Sequence, residues 1–124
     1  MRIQENLEKS KYEADGSIQI QGTTIPYHTI CEDNFFVDEE NNPVASIFSY
    51  AYFRSDIQDN SKRPILFIYN GGPGCASLWL HMGLFGPRIV KLDDELNLPT
   101  VPPFELEDNP HCLLDLCDLV FIDP

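Results

Sequence analysis

Five consecutive apolar residues, Ile65, Leu66, Phe67, Ile68 and Tyr69, run straight into Asn70-Gly71-Gly72-Pro73-Gly74, and no other stretch limits the fold so strongly. A short run rich in β-branched and aromatic residues predicts a strand buried on both faces, as in a parallel sheet. Neither a strand nor a helix interior accommodates the glycines and proline that follow. A helix-forming pattern resumes at Ala76 and continues through Ser77, Leu78, Trp79, Leu80, His81 and Met82. Strand, glycine loop and helix start form the arrangement by which open α/β sheets bind ligands beyond the carboxyl ends of their strands. Gly71 and Gly72 bring main-chain N–H groups to that loop, whereas Pro73 has none. Donors on a tight turn beside a helix start suit an anion, or an oxygen that turns anionic during a reaction.

Three readings of the loop compete. A nucleotide-phosphate cradle fits poorly, because no Lys-Ser/Thr pair follows the glycines and Gly-x-Gly-x-x-Gly is not matched. A plain tight turn accounts for the glycine and proline content. An oxyanion hole accounts in addition for their place at a strand end, where no side chain would stand between the backbone and a substrate carbonyl.

The flanking sequence reads in order. Residues 1–16 are polar and charged and predict a loosely held lead-in to a domain spanning residues 17–124. Ile18 and Ile20 alternate with Gln19 and Gln21, a Gly22-Thr23-Thr24 break intervenes, and Ile25, Tyr27 and Thr29 take up the alternation again. That pattern predicts a hairpin, and Pro26 argues for an edge position. Phe35-Phe36-Val37 extends the antiparallel part. Residues 38–43 predict a solvated turn rather than a calcium loop, since the glycine and ligand spacing of an EF-hand are missing. Residues 44–54 carry the β-formers of a further strand, and residues 55–63 read as a polar loop.

Beyond the glycines, Leu78, Trp79, Met82, Leu84 and Phe85 predict the apolar side of a short helix that Gly83 and Gly86-Pro87 bring to an end. Trp79 is read as core packing in preference to a substrate-pocket role. Residues 88–92 suggest one more short strand, residues 93–109 an acidic, proline-rich surface excursion, and residues 113–117 a helical turn. Residues 118–122 form a second apolar run. The crossover leading to it is long enough for a helix, so it should lie parallel to the first.

Twenty acidic residues against 8 basic ones give a net charge of -12, which argues against nucleic acid or anionic membranes as partners. A hydrophobic fraction of 43% is too high for a disordered chain, and 124 residues suffice to bury a core. No stretch approaches transmembrane length, and the first residues lack the apolar run of a signal peptide, so a cytoplasmic location is the expectation. Cys31, Cys75, Cys112 and Cys117 form no Cys-x-x-Cys pair and have no His at zinc-finger spacing. No metal or cofactor is expected, and reduced, packed thiols are favoured.

The residues 70–77, Asn-Gly-Gly-Pro-Gly-Cys-Ala-Ser, with Gly86-Pro87 closing the next segment, resemble the oxyanion-loop signature of the serine carboxypeptidases. Asn109-Pro110 and the residues 119–124, Leu-Val-Phe-Ile-Asp-Pro, are similar to that family's next strand and the turn after it. The resemblance implies the N-terminal part of an α/β-hydrolase fold, with antiparallel strands leading into a parallel sheet. It also implies a Ser-Asp-His triad that releases C-terminal residues from peptides. Gly72 N–H is then the oxyanion donor, and losing such a donor costs on the order of 3 kcal/mol of transition-state stabilisation. Asn70 and Gly71 would bind the substrate's terminal carboxylate, and Pro73 and Gly74 would shape the loop.

No Gly-x-Ser-x-Gly elbow occurs in these 124 residues. The chain therefore reads as an incomplete hydrolase domain that hydrolyses nothing by itself and exposes apolar sheet surface when expressed alone. Many family members hydrogen-bond the carboxylate through a Glu three residues before the Gly-Pro proline; here that position is Leu84. His81, on the same helical face, is a candidate cationic replacement, and a His buried against backbone is the alternative. The resemblance also leaves Cys75 open to a disulfide. Two other functions stay open: a different α/β-hydrolase, such as an aminopeptidase or esterase, and a non-catalytic remnant that kept the loop.

Overall fold

In the computed structural model residues 9–124 are described, so half of the expected lead-in lies outside the described residues. A five-stranded sheet is built from β1 (Lys11–Ile20), β2 (Thr23–Val37), β3 (Pro43–Arg54), β4 (Ile65–Tyr69) and β7 (Asp118–Asp123). Their order across the sheet is β1-β2-β3-β7-β4. The first three strands and β7 pair antiparallel, and β4 lies parallel to β7, with Phe67 opposite Val120. β5 (Arg88–Val90) and β6 (Leu106–Asp108) make a small antiparallel ribbon. The mixed sheet and the parallel pairing of the two apolar runs agree with the sequence reading. β6 was not expected within the surface excursion.

Strand β1 starts at Lys11, so the ladder begins inside the segment expected to be a loose lead-in. Each residue of 11–16 pairs with β2 in register, from Lys11 opposite Glu32 to Gly16 opposite Tyr27. Gln21 and Gly22 turn the hairpin with φ of 49° and 79°, the positive values that a two-residue hairpin loop requires.

Pro26 sits on β2, an inner strand rather than an edge. Its carbonyl accepts the Ser55 N–H at 3.0 Å, and the β2–β3 ladder begins only at Tyr27 opposite Arg54. The nitrogen that cannot donate therefore falls where β3 has already ended.

Registers divide the sheet into two unlike faces. Ile18, Ile20, Ile25, Ile68, Leu119 and Phe121 are buried on one face, with Tyr27, Tyr50 and Tyr52 packed against them. Two helical pieces cover that face. One is a single α-helical turn, α1 (Leu78–Leu80), that widens into π-helical turns at His81–Phe85; the other is a 3₁₀ turn at Leu113–Asp115. Buried Asn109 fixes the end of the first piece, its side-chain amide donating to the carbonyls of Leu84 at 2.7 Å and Gly86 at 2.9 Å.

The other face carries Ile65, Phe67 and Tyr69 in line with Val120 and Ile122. The first three are 50%, 58% and 66% exposed, so β4 is not buried on both faces as its composition predicts. Among the described residues nothing covers this face and nothing pairs with the outer edge of β4.

Candidate functional site

β4 and β7 run in the same direction, so their carboxyl ends, Tyr69 and Asp123, emerge together, and the glycine loop grows from that end. Gly72 and Gly74 hold φ of 82° and 81°, a left-handed conformation in which a Cβ would be strained. A Cβ at Gly71, Gly72 or Gly74 would meet nothing within 4 Å. All three glycines are exposed, and among the described residues neither the Gly71 nor the Gly72 amide donates to a main-chain acceptor. The loop thus presents unpaired donors to open space. Asn70 is only half-buried, and its side-chain amide lies 3.6 Å from the Cys75 sulfur, a weak contact that spans the base of the loop.

The exit of the loop is anchored. Ser77 is fully buried, and both its N–H and its hydroxyl donate to Oδ1 of Asp123, each at 2.6 Å. Sequence reading gave Ser77 no role beyond starting a helix. Alternation along β7 was the available signal, since it puts Asp123 on the same face as Leu119 and Phe121.

His81 is not the cationic donor that the resemblance left open. It is 7% exposed, with its ring stacked on Phe121 at 4.3 Å and its Nε2 in a 2.7 Å hydrogen bond with the Tyr52 hydroxyl. Burial lowers its pKa to about 4, against a small opposing pull from Asp123, so the ring is neutral near pH 7. The alternative of a buried His is therefore correct, with a tyrosine rather than the backbone as its partner. The same placement turns the helical segment the other way round from the expected one. Ser77 and His81 face the core, and Leu80 and Phe85 pack against it. Leu78, Trp79 and Leu84 point outward.

Trp79, read from the sequence as core, is 69% exposed. It lines a cavity of about 750 Å³ together with Leu78, Met82 and Ile89, and Asp93 and Glu107 add carboxylates to the wall. All four cysteines are free: Cys112 and Cys117 are buried, Cys31 is half-buried, and Cys75 is exposed rather than packed. Burial pushes the Cys112 thiol up to about 11, which keeps it protonated and inert.

A mixed sheet with free amides at the carboxyl end of a parallel strand is consistent with part of an α/β protein, and the chain is homologous to serine carboxypeptidases. Over 86 residues it is 31% identical to the pheromone-processing carboxypeptidase KEX1 of Saccharomyces cerevisiae strain JAY291, a stretch that makes up 69% of this chain and 10% of that protein. The protein of the same description from Komagataella phaffii is 31% identical over 74 residues, 60% of this chain and 10% of that protein. Among solved structures, that of Kex1Δp, a prohormone-processing carboxypeptidase from Saccharomyces cerevisiae, superposes with a TM-score of 0.55 at 24% identity. It covers 81% of this chain and 19% of that one, and at such identity the likeness concerns the fold. The chain spans 10% of the length of the curated relatives it matches. No family model matches it.

Proposed function

We propose that the chain carries the oxyanion loop of a serine-type carboxypeptidase, with the nucleophile, aspartate and histidine lying outside these 124 residues. Its fold is then the N-terminal part of an α/β-hydrolase, residues 17–124 forming one incomplete domain together with the strand that extends back to Lys11. One observation carries the reading: at the carboxyl end of a parallel strand the Gly71 and Gly72 amides are exposed and, among the described residues, unpaired. Gly72 N–H would stabilise the oxyanion, Asn70 and Gly71 would hold a terminal carboxylate, and Pro73 and Gly74 would keep the turn. The ligand is a peptide with a free C-terminus. The cavity beside Trp79, apolar with carboxylates on its wall, suits a side chain with a long apolar stem and a positive end.

Glycine-selective ¹⁵N labelling tests this, because the chain holds only 7 glycines and Gly71 and Gly72 can be followed one by one. Titration with an N-acetylated dipeptide ending in lysine should shift the Gly71 and Gly72 amide signals. The same dipeptide as its C-terminal amide should leave them in place. Equal response to both forms, or to neither, would sink the carboxypeptidase reading. His81 is neutral and turned to the core, and Leu84 is exposed without a polar group, so carboxylate recognition rests on the loop alone. That keeps a second reading alive, another α/β-hydrolase such as an aminopeptidase or esterase. Shifts with the amide or a simple ester, but not with the free acid, would favour it.

A further inference from the structure

We infer that Asp123 is the positioning residue of the glycine loop, acting through Ser77 to fix the direction in which the Gly71 and Gly72 amides point. The inference rests on the reading of that loop as ligand-facing. The loop itself has almost nothing to hold it. Its glycines are exposed, no atom of the described residues other than their own chain neighbours lies within 4 Å of where their Cβ atoms would stand, and the Asn70–Cys75 contact is long and weak. Its conformation must therefore be imposed from its two ends.

The entry end is Tyr69, which is paired with Ile122 on β7. The exit end is Ser77, fully buried, whose two donors converge on a single carboxylate oxygen. Asp123 follows Ile122 directly, so both ends of the loop are tied to two successive residues of one strand. A carboxylate acceptor makes such bonds short and strong. Main-chain and hydroxyl donors from one residue also remove rotation about that residue, which a single bond would permit. Ser77 carries the constraint onward, because its carbonyl accepts the His81 N–H at 2.8 Å and His81 is stacked on Phe121 of the same strand. Strand β7 thus grips the loop exit twice, through Asp123 and through Phe121.

A carboxylate so close to donors meant for an anion would ordinarily compete with the ligand. Here Oδ1 is occupied by both Ser77 donors and turned to the core face of β7, which spends its charge inward. The loop glycines are left facing out.

The test uses the same ¹⁵N-glycine label on the whole chain and three variants, Ser77→Ala, Ser77→Thr and Asp123→Asn. Without any ligand, the Gly71 and Gly72 amides should show the order of rigid backbone, about 0.85, in the wild type and in Ser77→Thr. In Ser77→Ala they should fall below about 0.6, while Gly16 in β1 stays ordered. Asp123→Asn keeps the shape but replaces the charged acceptor, and should lower the same two amides by less. This variant decides the matter should Ser77→Ala not fold. Unchanged order at Gly71 and Gly72 in both variants would overturn the inference. So would an equal loss at Gly16, or a failure of threonine to restore the wild-type values. Adding the free-acid dipeptide separates the two ideas. If the wild type shows no shift, the carboxypeptidase reading fails, while the ligand-free order still decides the role of Asp123.

Discussion

The two ends of the β4–β7 pair are built from the same strands and treated in opposite ways. At the amino end, the side chains of Arg63 and Asp118 are 8% and 6% exposed and their charged groups meet at 2.8 Å. Asp118 also accepts the Arg54 N–H at 3.0 Å, and the Arg63 guanidinium donates to the carbonyls of Leu114 and Asp115. Among the described residues no buried side-chain nitrogen or oxygen is left without a hydrogen-bond partner. At the carboxyl end, a single carboxylate anchors the loop, and the Gly71 and Gly72 amides have no partner among the described residues. A buried polar group without a partner is costly, so donors are left free only where solvent or a ligand can reach them. The finished end holds the pair in register, and the open end is where binding can occur.

The sharpest way to break this contrast is to attack the finished end. Removing one partner of a buried ion pair leaves the other charge stranded, which costs about 3–5 kcal/mol. Arg63→Ala or Asp118→Ala should therefore lower the unfolding free energy by roughly that amount in chemical denaturation. Glycine-loop order should stay unaltered up to the unfolding transition. A loss under about 1 kcal/mol would mean that the pair is solvated in solution like a surface bridge.

Acid probes the middle of the pair, where His81 rests on Phe121. Its folded pKa, about 4, lies below the ordinary value of 6.5, so between these the unfolded chain binds the proton and the folded one does not. Stability contributed by the neutral ring is thus fully present above pH 6.5 and falls as the pH drops toward 4. The total is on the order of 3 kcal/mol. Denaturation midpoints measured across that window should decline for the wild type and much less for His81→Phe, which keeps an aromatic ring and cannot titrate. Parallel declines would place the acid sensitivity elsewhere, among the carboxylates.

These two features differ in how far the sequence discloses them. Strands β1 to β4 and β7 are legible because alternation and apolar runs are local properties, and the glycine loop is legible because few other structures need such residues. Burial was not. Ile65, Phe67 and Tyr69 have the composition of an inner strand, yet exposure depends on which elements stack on the sheet, and composition does not show that. Trp79 and His81 were exchanged for a related reason. On a helix of barely two turns that widens to π spacing, a shift of about 100° per residue decides which side chain meets the core. Residue type favours tryptophan for that place, but Gly86 and Pro87 set the phase. A Cβ at Gly86 would collide with the His81 carbonyl, so the chain turns there with His81 inward. Asp123 and Ser77 are far apart in sequence, and only the parallel register brings them together.

The mildest perturbation sits in the loop itself and separates two adjacent glycines. Gly72 has φ of 82°, whereas Gly71 does not occupy the positive region, and both have open space where a Cβ would stand. Gly72→Ala should therefore cost about 1 kcal/mol through backbone strain alone. Gly71→Ala should fall within about 0.5 kcal/mol of the wild type, because the unfolded chain loses freedom at no cost to the folded one. With stability nearly untouched, Gly71→Ala becomes a probe of how near a ligand comes. A carboxylate bonded directly to that amide would collide with the new methyl group, so the free-acid dipeptide should bind Gly71→Ala more weakly than the wild type. Undiminished binding would remove Gly71 from the carboxylate contact and leave the anion to Gly72 and Asn70.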